Sequence, residues 1–217
     1  MSETTELKPV ESKSKALTIR DHLESKSFQD QLAMVIPKHC DAERMARIAI
    51  MAMNRTPKLK ECDQASFFKC LLDLSMWGLE PDGRRAHLIP FANNRAGTVE
   101  CQLIIDYKGL VELCMRSGDI ASIHADMVCD NDIFEVDLGK VTKHQIDYKK
   151  PRGAAYAFWA RVEFKDGGQK FEVMTRDEVD AIRNRSRAGS SGPWVTDYNE
   201  MAKKTVFRRL TKWIPLS

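Results

Sequence analysis

The sequence predicts an α+β fold, a small antiparallel sheet packed with helices. An N-terminal helical lobe precedes the sheet and a basic helix follows it. Three observations carry this reading. Apolar residues recur at helical spacing through the first third of the 217 residues. Short apolar runs separated by turn residues then arrive in hairpin blocks, the arrangement of α+β rather than parallel α/β chains. The last fifth returns to helical spacing with cations on one face.

Taken in order, residues 1–16 are polar, lack the apolar core of a signal peptide and read as a disordered tail. Order is expected from residue 17, in one domain of residues 17–217, divided into a helical lobe (17–80) and an α+β core (81–217). FQDQLAMVI and DAERMARIAIMAMNR are amphipathic, the second capped by Asp41. A third helix is expected from Asp63 through ASFFKCLLDLSMW to Gly78. RAHLIPF and TVECQLII read as paired strands around a turn at residues 92–98. Asp106 is placed to cap a helix from Tyr107 to Ser117, stopped at Gly118. IASIHADMV and DIFEVDL read as two strands around a Cys129-Asp130-Asn131 turn. AYAFWARVEF and QKFEVMT flank Lys165-Asp166-Gly167-Gly168, a hairpin signal. Thr175 with Glu178, and Asp197 with Glu200, have the spacing of capping boxes for the last two helices.

Composition narrows the function. Hydrophobic residues make up 43% of the chain, enough for a sizeable core, and no apolar run is long enough to cross a bilayer. Six cysteines without a Cys-x-x-Cys pair read as buried free thiols in a reducing, cytoplasmic compartment. The net charge of +3 says little until it is located. Between Arg183 and Lys212 eight basic residues face only Asp197 and Glu200, which leaves the remaining chain net negative. That local excess is the footprint of a polyanion site.

At about 100° per residue, Ala202, Val206, Leu210, Trp213 and Ile214 fall on one arc, the expected core face. Lys204, Arg208 and Lys212 follow on the opposite arc with Arg209 at its edge, and no acid lies between Met201 and Ser217. Lys203 projects towards the apolar arc, so it either snorkels or, the preferred reading, lines a cleft. The preceding loop offers Arg183, Arg185 and Arg187 among glycines and serines. Trp194 follows, as a ring for stacking bases or equally as a core anchor. Asp106-Tyr107-Lys108-Gly109 forms a second candidate, because a helix N-terminus with a lysine favours an anion, although the Asp106 carboxylate competes for the same N–H groups.

No phosphate-binding G-x-x-x-x-G-K-[ST] loop is present, which argues against an ATP-driven recombinase. The histidines lack metal-ligand spacing. Asp126, Asp130, Asp132 and Glu135 form an acidic cluster that would suit a metal-dependent nuclease, but they straddle an expected turn and lack the pattern of a calcium loop.

IPKHCDAERMARIA, SMWGLEP, QLIIDYKGLVELCMRSG, GGQKFEVMTR and GPWVTDYNEMAKKTVFRRLTKWIP, in this order, resemble the RecT family of phage-type annealing proteins from about residue 30 to residue 217. The last block also resembles Red-beta proteins more loosely. The resemblance implies ATP-independent binding of single-stranded DNA and annealing of complementary strands through a duplex intermediate. It implies no enzyme chemistry and no cofactor. It implies rings or helical filaments of identical subunits and a phage exonuclease as partner, in a bacterial cytoplasm. It places Tyr107, Lys108, Arg116, Lys203, Lys204, Arg208 and Arg209 in a DNA groove, whereas Lys212 and the Arg183–Arg187 loop rest on charge alone. It also implies an acidic tail beyond the last helix, residues that this sequence, ending at Ser217, does not supply. A nuclease on the Asp126–Glu135 cluster and a passive coating protein are the alternatives.

Overall fold

The computed structural model describes residues 17–186 and 188–216, so the expectations for the tail and for Arg187 lie outside the described residues. Four helices open the chain: α1 (Ile19–Glu24), α2 (Lys26–Val35), α3 (Ala42–Arg55) and α4 (Gln64–Met76). Each follows a side-chain cap. Thr18 and Asp21 form a reciprocal box on α1, and Ser25, Asp41 and Asp63 accept from the first turns of the next three. The Ser25 cap is what separates α1, which the apolar spacing did not reveal, from α2. Gly78, at φ +59°, ends α4 as its position in the sequence predicted.

β1 (Ala86–Asn93) and β2 (Thr98–Ile105) then pair antiparallel from Ala86↔Ile105 to Asn93↔Thr98. This hairpin packs on the helices. Leu71 and Leu74 of α4, Met45 and Met53 of α3, and Leu88 and Cys101 of the hairpin belong to one buried cluster.

The second half holds α5 (Tyr107–Arg116), β3 (Ile120–Cys129), β4 (Ile133–Asp137), β5 (Lys140–Gln145), β6 (Ala155–Phe164), β7 (Gln169–Thr175), α6 (Arg176–Arg185), the single turn α7 (Pro193–Thr196) and α8 (Tyr198–Leu210). The main sheet has order β3-β6-β7 and is antiparallel throughout. Alternation along β6 sorts its side chains. Phe158, Ala160 and Val162 point into a cluster with Trp194, Val206, Phe207 and Leu210, so α8 lies on that face. Ala157 and Trp159 point the other way, under Val141 of β5 and Phe134 of β4. The fold is α+β, as the sequence predicted.

The two strands expected around Cys129-Asp130-Asn131 do not pair with each other. Asp130 and Asn131 donate backbone N–H to Ala154 and Arg152, which carries the chain along β6, and β3 pairs with β6. β4 instead forms its own hairpin with β5 through Leu138 and Gly139, the latter at φ +108°. β5 escaped detection because its sequence, KVTKHQ, buries only Val141.

A cationic cleft between α5 and α8 as candidate nucleic-acid interface

α8 buries Ala202, Val206, Phe207 and Leu210. Beyond Leu210 the chain tightens into a 3-10 turn, Thr211–Trp213. This breaks the extrapolated helical arc: Ile214 is buried, but Trp213 is 71% exposed rather than core. Neither acid of the Asp197–Glu200 pair caps α8. Asp197 accepts from the Thr196 hydroxyl and Glu200 pairs with Lys203 at 2.6 Å, whereas the Thr175–Glu178 box on α6 does form.

Lys203 shares an i, i+4 row with Phe207 and Thr211, both buried, so its stem follows the core face and its end opens into a cleft. That cleft, about 440 Å³, lies between α5, β3 and α8. Val111, Ile123, Met201 and Phe207 give it an apolar floor, and Tyr107, Lys203 and Lys204 stand around it. Lys204 Nζ lies 5.8 Å from the Tyr107 ring centroid and 3.2 Å from Asp106 Oδ2. His87 Nε2 approaches the same carboxylate oxygen at 3.6 Å. Asp106 makes no side-chain capping bond on α5, contrary to the expectation from the sequence. Its Oδ1 is buried without a hydrogen-bond partner. Burial pushes this carboxyl up, but the Lys204 charge and hydrogen bond outweigh it and hold the group below its ordinary range.

Gly109 brings α5 against the start of β1. A Cβ there would stand 2.4 Å from the Arg85 carbonyl oxygen and 2.9 Å from Ile105 Cγ2. The close approach inferred from this glycine is therefore made by the chain's own backbone. It fixes the first turn of α5, where Tyr107 lines the cleft.

The other sequence-predicted cations divide into two groups. Lys108, Arg208 and Lys212 are exposed and have no ion-pair partner among the described residues. Arg209, in contrast, bridges Glu172 of β7 and Glu178 of α6, each at 3.1 Å. Arg116 spends its guanidinium on the Trp77 and Gly78 carbonyls and on Glu112, tying α5 to the end of α4. Arg183 donates to the Gly189 carbonyl at 2.7 Å and lies over the Tyr198 ring, which folds the glycine-serine loop back on α6. Arg185 is exposed, with Nε bonded to Ala181 O. Trp194 is 5% exposed and packs near Tyr198, so it is a core anchor. The absence of acids downstream of Met201 left only part of the stripe unpaired, because Asp106 reaches Lys204, and Glu172 and Glu178 reach Arg209, from distant elements. No spacing rule within α8 could have shown them.

The acidic cluster is a structural ion pair. The Asp132 side chain is 1% exposed and accepts from Arg152 Nη2 at 2.7 Å, from Cys129 N at 2.9 Å and from His144 Nε2 at 3.3 Å. These bonds, Arg152 first, hold its carboxyl at about 2. Asp130 accepts from Ala154 N and Asp126 from Met127 N. Among the described residues no group of three or more His, Cys, Asp or Glu is placed to hold a metal. No described helix is long and apolar enough to cross a membrane.

Comparison with known proteins fits this geometry. The model of the RecT family matches residues 43–217. The chain is 42% identical over 197 residues to Protein RecT of Escherichia coli (strain K12), covering 88% of the chain and 73% of that protein. It is 27% identical over 121 residues to the uncharacterized protein YqaK of Bacillus subtilis (strain 168), covering 54% of the chain and 42% of that protein.

Proposed function

The chain belongs to the RecT family, and from that premise we propose that it binds single-stranded DNA and anneals complementary strands in homologous recombination. It does so without ATP, as a homo-oligomer, and no bond is made or broken. The observation that carries this reading is the cleft between α5 and α8. Lys203, Lys204 and Tyr107 surround an apolar floor there, and Arg208 and Lys212 extend the charge along the exposed side of α8. Cations beside an aromatic ring and an apolar trough suit a strand whose phosphates are neutralised while its bases stack, independent of sequence.

The pairing of Lys204 with Asp106 and of Lys203 with Glu200 gives the free site internal counter-charges that a phosphate displaces on binding. Arg116, Arg183 and Arg209 support this surface from behind, since their donors already hold α5, the loop after α6 and β7 in place. Oligomerisation joins successive clefts into one groove, and a phage exonuclease in the bacterial cytoplasm supplies the single strand.

Two labelled complementary oligonucleotides mixed with the protein test the proposal. Annealing is expected at the same rate with ATP, without it, or with a non-hydrolysable analogue. Dependence on hydrolysis overturns the ATP-independent reading. Binding without acceleration of pairing leaves only a passive coating protein. Magnesium-dependent cutting abolished by Asp130→Asn with Asp132→Asn would instead restore the nuclease alternative, against which the Arg152–Asp132 pair stands.

A further inference from the structure

The main sheet is covered on one face by α8 but only partly on the other. The β4–β5 hairpin lies over Val128, Ala157 and Trp159 and stops there. Cross-strand register places His124, Arg161 and Phe171 side by side in the next row, on the same face. Phe171 packs against the covered cluster, and His124 and Arg161 border it. A cleft of about 480 Å³ opens at this boundary, walled by His124, Arg161, Lys143 and Tyr148 and floored by Trp159.

Each wall has a chemistry of its own. His124 lies 5.1 Å from the Trp159 ring and the Arg161 guanidinium 6.0 Å from it. Arg161 Nη2 pairs with Glu163 at 3.1 Å, while its Nε is buried with no partner. Tyr148 is 87% exposed on the rim. The rim is also basic: residues 140–152 hold Lys140, Lys143, Lys149, Lys150 and Arg152 against a single acid, Asp147. The acids of the cleft wall are already engaged. Asp126 accepts from Met127 N and faces Arg152, and Glu163 accepts from Ser122 Oγ.

We infer that this half-covered sheet face is a second contact for a nucleic-acid strand, separate from the α5–α8 cleft on the opposite face. Its bases stack on Tyr148, and its phosphates meet Lys143, Lys149 and Arg161. A ring open to solvent beside long-chain cations fits a single strand better than a duplex, whose bases are already stacked. Two strand-binding faces on one chain let a subunit that holds one strand sample another. The inference rests on the annealing reading for the identity of its ligand.

The test uses the full chain and a fluorescent oligothymidine titrated at low salt. Two classes of site per chain are expected. Arg208→Ala with Lys212→Ala weakens the tight class, and Tyr148→Ala with Lys149→Ala weakens the second by about tenfold while leaving the first unchanged. Both residues of the second pair are exposed, so circular dichroism is expected to match the unaltered chain. An oligonucleotide carrying 5-iododeoxyuridine should cross-link to Tyr148. A single class of site, a second class indifferent to Tyr148, or equal competition by polyglutamate would each overturn the inference while leaving the α5–α8 reading standing. Failure of the oligonucleotide to bind at all would overturn both.

Discussion

Asp132 shows how a residue's role turns on what reaches it. Spacing set it in an acidic cluster, but Arg152, twenty residues away in sequence, neutralises its buried carboxylate. His144 extends the chain of contacts. Its Nε2–H donates to Asp132, which leaves Nδ1 to accept from Trp159 Nε1 at 3.1 Å. The carboxylate thus locks β5 to β6 through a histidine of one tautomer. Its depressed pKa has a definite sign. A group at about 2 when folded and about 3.9 when unfolded contributes stability that is complete above pH ~4. That stability is lost as pH falls through ~2. Asp132→Asn should therefore be less stable than the unaltered chain by about 2 kcal/mol at neutral pH. The gap should close by pH ~2. Urea midpoints at the two pH values decide it, and a gap that persists in acid would deny the carboxylate its role.

At the scale of elements, the helices were the most legible because their caps and apolar spacing are local. α3, α4, α5 and α6 begin at Asp41, Asp63, Asp106 and Thr175, where the sequence placed them. The β6–β7 hairpin was equally plain from its Asp-Gly-Gly turn. β5 and the pairing of β3 with β6 were not, since strand partners are chosen by non-local burial. The site divides the same way. Helical spacing set Lys204 and Arg208 on a polar arc, but it gave no sign that Asp106 would meet Lys204. The salt test of α8 changes accordingly. Lys204→Ala would strand a partly buried carboxylate that already lacks one partner, mixing stability with binding. Arg208 and Lys212 carry no such burden. Changing both to Ala should flatten the log–log salt dependence of single-strand binding by ~1.4, about 0.7 for each phosphate left without its cation. The weakening should be equal on oligonucleotides of different sequence, because phosphate contacts carry no base information. Fluorescence anisotropy across a salt series measures both, and an unchanged slope would reduce the stripe to a solvated face.

Across the whole molecule two buried clusters meet at one helix. α5 gives Leu113 to the cluster of α1–α4 and the β1–β2 hairpin, and gives Leu110 and Cys114 to the cluster of the main sheet and α8. The same helix carries Tyr107 at the cleft, so the proposed binding surface sits on an element that both cores share. Arg116 and Arg85 strengthen the joint: Arg116 reaches the end of α4, and Arg85 meets Glu80, Asp82 and Glu112 together. A chain joined in this way should unfold as one unit. Circular dichroism, weighted towards the helices, and tryptophan fluorescence, weighted towards Trp159, Trp194 and Trp213 of the second half, should give one urea midpoint. Leu113→Ala opens a cavity on the first cluster's side of the joint and should remove about 2–5 kcal/mol. The two midpoints should then separate, with the dichroism falling first, because the helical half has lost its grip on α5 while Leu110 still holds the other. Coincident midpoints in that variant would mean that the halves are coupled elsewhere, through Gly109 against Arg85 and the ion pairs of Arg85.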